Sequence, residues 1–428
     1  MSDSHTESVY SHLVSGQHGR SAAGTERSSA RGQRRFSGWR LFLLRLSFVL
    51  LGLLLPLVLM EVTLRVFGAV FPGNYSTGKY LTADPVYGRF HVLNFKGWLR
   101  TDEFASYLRI NSEGQRGAEI PMEKPPNTFR ILALGDSYLE AAQVREDQSV
   151  AGRLAASLSE ARGAPVDVIN TGVGSWGTTQ EWLLLQQLGE RFQPDLQLVF
   201  FHPANDLWDN SYSLQRPRTP REPFFTLAED GSLREVPFRL AQKPFRNELD
   251  VDDLTPTGVL RRTSWLYHVF ETGVLDKLDQ GNDTGPRLNA QAQVFWDPRA
   301  EDRVKPTWDV TLALFRAITE YGQAHGVQTV IVVVPSSAEV HDEDWLATRE
   351  RIRAARLQPS NYERYQLSRV LDRRRQEVGA IWIDLGPALR AAAAGGERMY
   401  FRQDGHWTVA GNALVASVLQ SSLEQLIH

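Results

Sequence analysis

The chain has 428 residues, 42% hydrophobic and 23% charged, which is typical of a globular protein with two or three domains or one large α/β domain with additions. Its formal net charge of −3 gives no electrostatic reason to expect a nucleic-acid partner. The chain has no cysteine, which excludes disulfides, thiolate zinc sites and a cysteine nucleophile.

The first 40 residues differ in composition from the rest of the chain. They are rich in serine, glycine, histidine and arginine and carry no apolar period. Such a segment cannot bury enough apolar surface to offset the entropy lost on ordering. We predict that residues 1–40 form a disordered basic segment.

A long apolar stretch follows, LFLLRLSFVLLGLLLPLVLM, with Arg45 as its one charged residue. At helical rise it spans the hydrocarbon core of a bilayer, and Arg45 lies close enough to its start to reach the interface. We predict a transmembrane anchor over residues 41–62. The alternatives are a cleaved signal peptide and a buried core helix. The long polar segment before the stretch, and VFGAVFPGN after it with no small-x-small cleavage site, disfavour the signal peptide.

Positive charge lies mainly on the N-terminal side of the predicted anchor. Only Arg65 and Lys79 follow it within about twenty residues. Seven arginines precede or begin it: Arg20, Arg27, Arg31, Arg34, Arg35, Arg40 and Arg45. The positive-inside rule then places the N-terminus in the cytoplasm. For a bacterial source this predicts a single-pass inner-membrane protein whose catalytic domain is periplasmic.

Apolar runs and amphipathic stretches alternate after the anchor. The predicted strands are FRILALGD, VDVINTGV, LQLVFFHPAND, VQTVIVVVP and IWIDL, and the predicted helices are Gln148–Ala161, TTQEWLLLQQLGERF, Thr307–His325 and Gly411–Leu426. Buried strands that alternate with helices indicate an α/β fold with a parallel sheet covered on both faces. We assign residues 128–428 to this domain.

Two segments do not follow the alternation. Residues 63–127 are predicted to form a lead-in segment packed on the sheet. Residues 209–306 are rich in proline, arginine and aromatic residues, and we interpret them as an insertion that is either a substrate-binding cap or a plain surface excursion. The aromatic residues in and next to the insertion either stack on sugars or pack the insertion itself: Trp208, Tyr212, Phe224 and Phe225.

The stretch ILALGDSYLE places Ser137 just past the end of the first predicted strand of the sheet. Ligands of open parallel sheets bind outside the carboxyl ends of the strands. A serine at the start of a helix there, surrounded by backbone N–H groups, suits acyl transfer. The alternative is an ordinary cap, because aspartate and serine are favoured at helix starts.

Three further clusters support the first interpretation. NTGVGSWG follows the second strand and offers backbone N–H donors, and HPAND follows the third strand and contains Asn205. RQDGHWTVAG near the C-terminus supplies Asp404 and His406. Each cluster alone is compatible with a turn or a surface loop. Together with GDS, in this order and with three of the four clusters at predicted strand ends, they indicate a catalytic site.

The ordered set GDS, NTGVGSWG, AND and DGHW resembles the SGNH hydrolases, also called GDSL-type esterases and lipases, from Phe129 to His428. NSEGQRGAEIP resembles the segment before the sheet in membrane-anchored bacterial members. The resemblance implies a three-layer, flavodoxin-like α/β fold in which Ser137 is the nucleophile, His406 the general base and Asp404 the acid that orients it. The implied oxyanion hole comprises the Ser137 N–H, a backbone N–H of Gly174 or Ser175, and the Asn205 side chain.

The sequence departs from the family pattern at two places. The glycine of the family motif NxGVxG falls on Ser175, and the usual Asp-x-x-His is shortened, so that Gln403 lies three positions before His406. Asp-x-His followed by tryptophan is more similar to proteins related to alginate O-acetyltransferases, which handle acetyl groups on exopolysaccharide. In those proteins the serine follows this motif, whereas here it precedes it.

These observations predict a membrane-anchored extracytoplasmic serine esterase, a deacetylase or other acyl-ester hydrolase. Its expected substrate is an acylated small molecule or polysaccharide, and no metal or cofactor is expected. One alternative is an O-acetyltransferase acting on a cell-surface polysaccharide. Another is a non-catalytic carbohydrate-binding protein of the same fold. Asp384, at the end of the fifth predicted strand, is a rival candidate for the acid.

Overall fold

The structure is a computed structural model that describes residues 38–67, 75–76, 80–215, 220, 222–239, 264, 266–267 and 292–427. Residues 1–37 of the predicted disordered segment lie outside the described residues, and so does much of the predicted insertion. The chain divides into two compact units, Met1–Val58 and Leu59–His428.

Helix α1, Gly38–Phe67, is 30 residues long and contains Pro56. Its portion Gly38–Leu64 is long and apolar enough to cross a membrane. Large apolar side chains from Trp39 to Val62 are exposed, which argues against a buried core helix. The helix is longer than the predicted span 41–62. It also includes Gly38–Arg40 at its start and residues 63–67 at its end.

The lead-in segment forms small antiparallel sheets. Strands β1, Tyr75–Ser76, β4, Lys96–Arg100, and β5, Ala105–Arg109, pair in the order β1-β4-β5. Strands β2, Leu81–Asp84, and β3, Gly88–His91, form a hairpin. The pairing of β4 with β5 brings the connecting turn, residues 101–104, to one end of the segment.

Five parallel strands form the central sheet, as predicted. They are β6, Phe129–Leu134, β7, Val166–Asn170, β8, Leu196–Phe201, β11, Gln328–Val333, and β12, Ile381–Asp384. Their order is β12-β11-β8-β6-β7, which corresponds to the flavodoxin-like order 2-1-3-4-5. The strand order reverses between β6 and β8, and ligands of such sheets bind at this point.

Helices cover both faces of the sheet and confirm the three-layer α/β fold. The longer ones are α3, Val150–Arg162, α4, Thr178–Phe192, α7, Glu301–Ala324, and α12, Val409–Leu423. Alternate residues of β6 enter opposite halves of the core: Leu132 and Leu134 lie in one buried cluster, Ile131 and Ala133 in the other. Shorter helices complete the domain: α2, Ser137–Glu140, α8, Ser337–Val340, α9, Asp342–Ala354, α10, Gln366–Arg374, and α11, Gly386–Ala394.

The described parts of the insertion contain more regular structure than its composition indicated. Helix α5, Pro203–Asp209, leads into the insertion, where helix α6, Tyr212–Gln215, precedes the antiparallel hairpin of β9, Phe224–Leu227, and β10, Leu233–Val236. Phe224 and Phe225 are buried, which favours the packing interpretation of these aromatic residues over sugar stacking.

The predicted start of helix α7 at Thr307 is wrong. The helix begins at Glu301 and continues through Pro306. Two acidic residues, Glu301 and Asp302, lie in its first turn, where they interact favourably with the helix dipole. Pro306 lies inside this helix and not at its first position, where proline is most common.

Candidate active site

Ser137 lies at the carboxyl end of the central strand β6, as the first residue of the four-residue helix α2. The N-cap of this helix is Asp136, whose Oδ1 accepts the backbone N–H of Tyr138 at 2.8 Å. The interpretation of Ser137 as the helix cap is therefore wrong. Its hydroxyl is left to other partners, and its N–H lies in the first turn, where helical N–H groups have no intrahelical acceptor.

His406 connects Ser137 with Asp404. Its Nε2 is 2.7 Å from Ser137 Oγ, and its Nδ1 is 2.7 Å from Asp404 Oδ1. The same Oδ1 accepts the backbone N–H of His406 at 3.2 Å. A hydroxyl, an imidazole and a carboxylate joined in this order have the geometry of a nucleophile, a base and an orienting acid.

The shortened Asp-x-His spacing is accommodated by the conformation of the connecting loop. Gly405 has a φ of +82°, in the left-handed region that favours glycine. The Phe401 N–H donates to the His406 carbonyl at 2.8 Å and closes the loop. The Tyr138 hydroxyl donates to the Gly405 carbonyl at 2.9 Å, which ties the loop to the residue next to the nucleophile.

The pKa values of the two loop residues move in opposite directions. Burial by itself lowers the pKa of His406, but the hydrogen bond and the charge of Asp404 outweigh it, so that this pKa is raised above its ordinary value. Burial raises the pKa of Asp404, but the hydrogen bond and charge of His406 outweigh it, and the net pKa is lowered. Both shifts favour an ionised Asp404 beside a histidine that readily accepts a proton.

Asp384, the rival candidate for the acid, and a second histidine, His202, have other partners. His202 packs its ring on Tyr138 at 4.5 Å between centroids, and its Nδ1 lies 2.9 Å from the Val334 carbonyl. Burial lowers the pKa of His202 to about 4. Asp384 accepts the Gly386 N–H at 2.8 Å, at the start of helix α11, so its contact is that of a helix-end residue.

Asn205 lies in the first turn of α5, just after β8. Its Nδ2 donates to Asp136 Oδ2 at 3.2 Å. This bond uses one of the two hydrogens that an amide nitrogen carries. Burial raises the pKa of Asp136 to about 6, although the Tyr138 N–H, the charge of His406 and the Asn205 bond oppose this rise.

The GVGS turn after β7 packs closely on helix α2. A Cβ at Gly172 would lie 2.4 Å from the Glu140 nitrogen and 2.9 Å from the Asp136 carbonyl oxygen, so only glycine fits there. A Cβ at Gly174 would lie 3.2 Å from Glu140 Oε2. Ser175, which replaces the family glycine, has a φ of +66°, a conformation for which glycine is the usual residue.

Several residues that support the site were not singled out in the sequence. Arg116 donates to the Glu140 carbonyl at 2.6 Å and the Val144 carbonyl at 2.5 Å, so the NSEGQRG segment holds the end of α2. His91 Nε2 lies 2.8 Å from Glu140 Oε1 within the core. The resemblance of NSEGQRG to the segment before the sheet in other family members was the one sequence signal for the Arg116 contacts. Tyr138 had no such signal apart from its position beside Ser137.

No group of three or more histidine, aspartate or glutamate side chains within the described ranges is arranged to hold a metal ion. The side chains of Ser137, His406 and Asp404 form a hydrogen-bonded chain, an arrangement that can transfer protons and activate a nucleophile.

Comparison with known proteins agrees with the family resemblance. The family model of the SGNH hydrolase-like domain of acetyltransferase AlgX matches residues 297–428, which include Asp404 and His406. Curated proteins gave no significant match.

Similar solved structures include three at low identity. A lipase/acylhydrolase from Enterococcus faecalis is 13% identical, with 70% of this chain and 97% of that chain covered and a TM-score of 0.34. A variant of an acetyl-xylooligosaccharide esterase from Geobacillus is 12% identical, with 68% and 93% covered and a TM-score of 0.35. A GDSL-like lipase from Bacteroides thetaiotaomicron is 9% identical, with 69% and 88% covered and a TM-score of 0.29.

The family match supports an activity on ester bonds, as a hydrolase or as an acyltransferase. Residues 297–428 are therefore similar to the SGNH hydrolase-like domain of acetyltransferase AlgX.

Proposed function

We propose that this protein is a membrane-anchored serine esterase that removes acyl groups, acetyl above all, through an acyl-enzyme on Ser137. The observation that carries the proposal is the chain of two 2.7 Å contacts from Ser137 Oγ through His406 to Asp404. Its position at the switch point of the sheet, beside Asn205 and the GVGS turn, supports the same conclusion.

The proposed reaction has two steps. His406 Nε2 takes the proton of Ser137 Oγ as this oxygen attacks the ester carbonyl carbon. The Asp404 carboxylate holds Nδ1–H and stabilises the imidazolium. Collapse of the tetrahedral intermediate breaks the ester bond, and the alcohol leaves with the proton from His406. Water then attacks the acyl-enzyme, His406 removes its proton, and the acid is released as Ser137 recovers its hydrogen.

Three donors are proposed to stabilise the oxyanion. They are the Ser137 N–H, a backbone N–H of Gly174 or Ser175, and the second N–H of the Asn205 amide. The Asp136 carboxylate holds the Asn205 amide through the other hydrogen, which fixes its orientation. Removal of one such donor in other enzymes lowers kcat by roughly 100-fold to 1,000-fold.

Transfer to a sugar hydroxyl is the second candidate. The observation that favours it is the match of residues 297–428 to a domain of the acetyltransferase AlgX. The chemistry is the same as far as the acyl-enzyme, and a sugar hydroxyl then replaces water. A transferase requires an acyl donor on the extracytoplasmic side.

The anchor and its orientation belong to the same proposal. Helix α1 has the length and composition of a membrane span, and the seven arginines before or within its first turns favour a cytoplasmic N-terminus. The catalytic domain is then extracytoplasmic, which fits an acetylated cell-surface polysaccharide as substrate.

Acetate release by the full chain in detergent distinguishes the two candidates. We expect hydrolysis of an aryl acetate and of acetylated polysaccharides, and Ser137→Ala should be inactive with an unchanged melting temperature. An esterase releases free acetate whether or not a deacetylated polysaccharide is added. If addition of that acceptor suppresses acetate release and acetylates the sugar, the protein is a transferase. Equal acetate release by the wild type and Ser137→Ala would contradict both.

A further inference from the structure

The turn between β4 and β5 contacts the loop that carries Asp404 and His406. This turn, TDEF over residues 101–104, belongs to the lead-in segment. Glu103 Oε1 accepts the Arg402 N–H at 2.7 Å, and Glu103 Oε2 accepts the N–H groups of Gln403 and Asp404, both at 2.8 Å. Three consecutive backbone N–H groups therefore converge on one carboxylate.

The turn that presents Glu103 is itself well fixed. Thr101 Oγ1 accepts the N–H groups of Glu103 at 3.1 Å and Phe104 at 3.3 Å. The Thr101 N–H donates to the Phe104 carbonyl at 2.9 Å, between strands paired up to Arg100 and Ala105. The Phe104 ring then packs on Phe401 with 5.4 Å between centroids. Backbone, carboxylate and ring thus hold the same loop from one side.

Successive backbone N–H groups form a concave site that favours an anion, and hydrogen bonds to an ionised acceptor are stronger than neutral ones. Arg402 and Gln403 are exposed, so without Glu103 their N–H groups would turn to water. The loop would then depend on its internal Phe401 bond and on Tyr138. The Asp404 N–H belongs to the same residue as the carboxylate that bonds His406. Glu103 therefore holds the backbone of the residue that contacts the histidine.

We propose that Glu103 is a positioning residue that fixes the Asp404 backbone and thereby the contact between Asp404 and His406. This proposal rests on the proposed function, because it assigns Glu103 a role in the arrangement of Ser137, His406 and Asp404. The hydrogen bonds of the Glu103 carboxylate go to the backbone of residues 402–404 and not to His406. The lead-in segment therefore contributes directly to the active-site geometry.

Glu103→Gln in the full chain in detergent tests this role. The amide keeps the shape but replaces one accepting oxygen by a donor that faces an N–H. We expect kcat for an aryl acetate to fall about tenfold, the loss of one charge-assisted hydrogen bond, with KM changed by less than about twofold. A less well aligned Asp404 lowers the pKa of His406, so the acid limb of the kcat/KM profile should move to lower pH.

Glu119→Gln is the matched control. Glu119 lies in the same lead-in segment, and its carboxylate also accepts a backbone N–H, from Ser112 at 2.9 Å, together with the Ser112 hydroxyl at 2.7 Å. Its contacts do not involve the 402–404 loop. We expect its kcat, KM and pH profile to match those of the wild type.

Glu103→Ala with added formate separates positioning from general stability. Formate supplies a carboxylate to the three N–H groups, so we expect it to restore part of the lost kcat in a concentration-dependent way. It should not affect Glu119→Gln. A Glu103→Gln variant with wild-type kcat and pH profile would overturn the proposal. So would a lowered melting temperature with an unmoved pH profile and no formate rescue.

Hydrogen–deuterium exchange gives a readout that does not depend on activity. The backbone amides of residues 402–404 should exchange faster in Glu103→Gln than in the wild type or Glu119→Gln. Equal exchange rates would show that Glu103 does not hold this loop. If the wild type shows no esterase or transferase activity, the proposed function fails, while the exchange rates still decide whether Glu103 holds the loop.

Discussion

At the scale of single residues, Asp404 Oδ1 accepts two hydrogen bonds from one residue, His406. The backbone bond fixes the loop, and the ring bond selects the tautomer with hydrogen on Nδ1, which leaves Nε2 as the acceptor toward Ser137. Because the pKa of His406 is raised, the neutral ring is populated only at a higher pH than for an ordinary histidine.

Asp404→Asn removes the charge that raises the pKa of His406. The ring then loses its proton at a lower pH, so we expect the acid limb of the kcat/KM profile to move down in pH. An amide also stabilises the wrong tautomer, and kcat should fall by roughly a thousandfold or more. Steady-state kinetics across pH check this, with Asp384→Asn as the control. An unmoved limb at wild-type rates would assign the acid to another residue.

At the scale of elements, the site depends on close contact between α2 and the turn after β7. The Asn170 side chain donates to the Leu139 carbonyl at 2.8 Å and accepts the Gly172 N–H at 3.0 Å, so one amide joins strand end, turn and helix. Gly172 fits against the helix backbone because it has no side chain.

Gly172→Ala should disturb the site through this contact. The added methyl group would meet backbone atoms of α2, which cannot move without moving Ser137. We expect a loss of stability of about 1–3 kcal/mol and a fall in kcat larger than that in binding. Thermal melts and kinetics check this against Gly379→Ala, where a Cβ meets nothing within 4 Å. Equal behaviour of the two variants would show that the turn tolerates a side chain.

The positions of Ser137, Asn205 and the GVGS turn could be predicted from the sequence because apolar runs mark strand ends, and parallel strands bring their carboxyl ends to one edge. Asp404 and His406 could be singled out as a polar cluster, but their roles beside Ser137 required the family resemblance, since no periodicity links them to that serine. Glu103 could not be predicted. Its partners lie about 300 positions further along the chain, and no local pattern encodes such a contact.

At the scale of the whole molecule, the charge asymmetry around α1 determines the proposed topology. The chain has no cysteine, so single introduced cysteines can report each side. We expect an impermeant maleimide to label Ser421→Cys in cells whose outer membrane is permeabilised, and Ser29→Cys only after lysis. Aryl acetate hydrolysis should sediment with the membranes. The reverse labelling pattern would place the domain in the cytoplasm.

Ser137 is the proposed nucleophile. The most direct test of this role is to label the full chain with a fluorophosphonate and map the adduct by mass spectrometry. The tryptic peptide ILALGDSYLEAAQVR, Ile131–Arg145, contains Ser137 as its one serine, so the assignment is unambiguous. We predict that the adduct lies on Ser137 and that His406→Ala prevents it while His202→Ala does not. An adduct on another residue, or undiminished labelling in His406→Ala, would contradict the account.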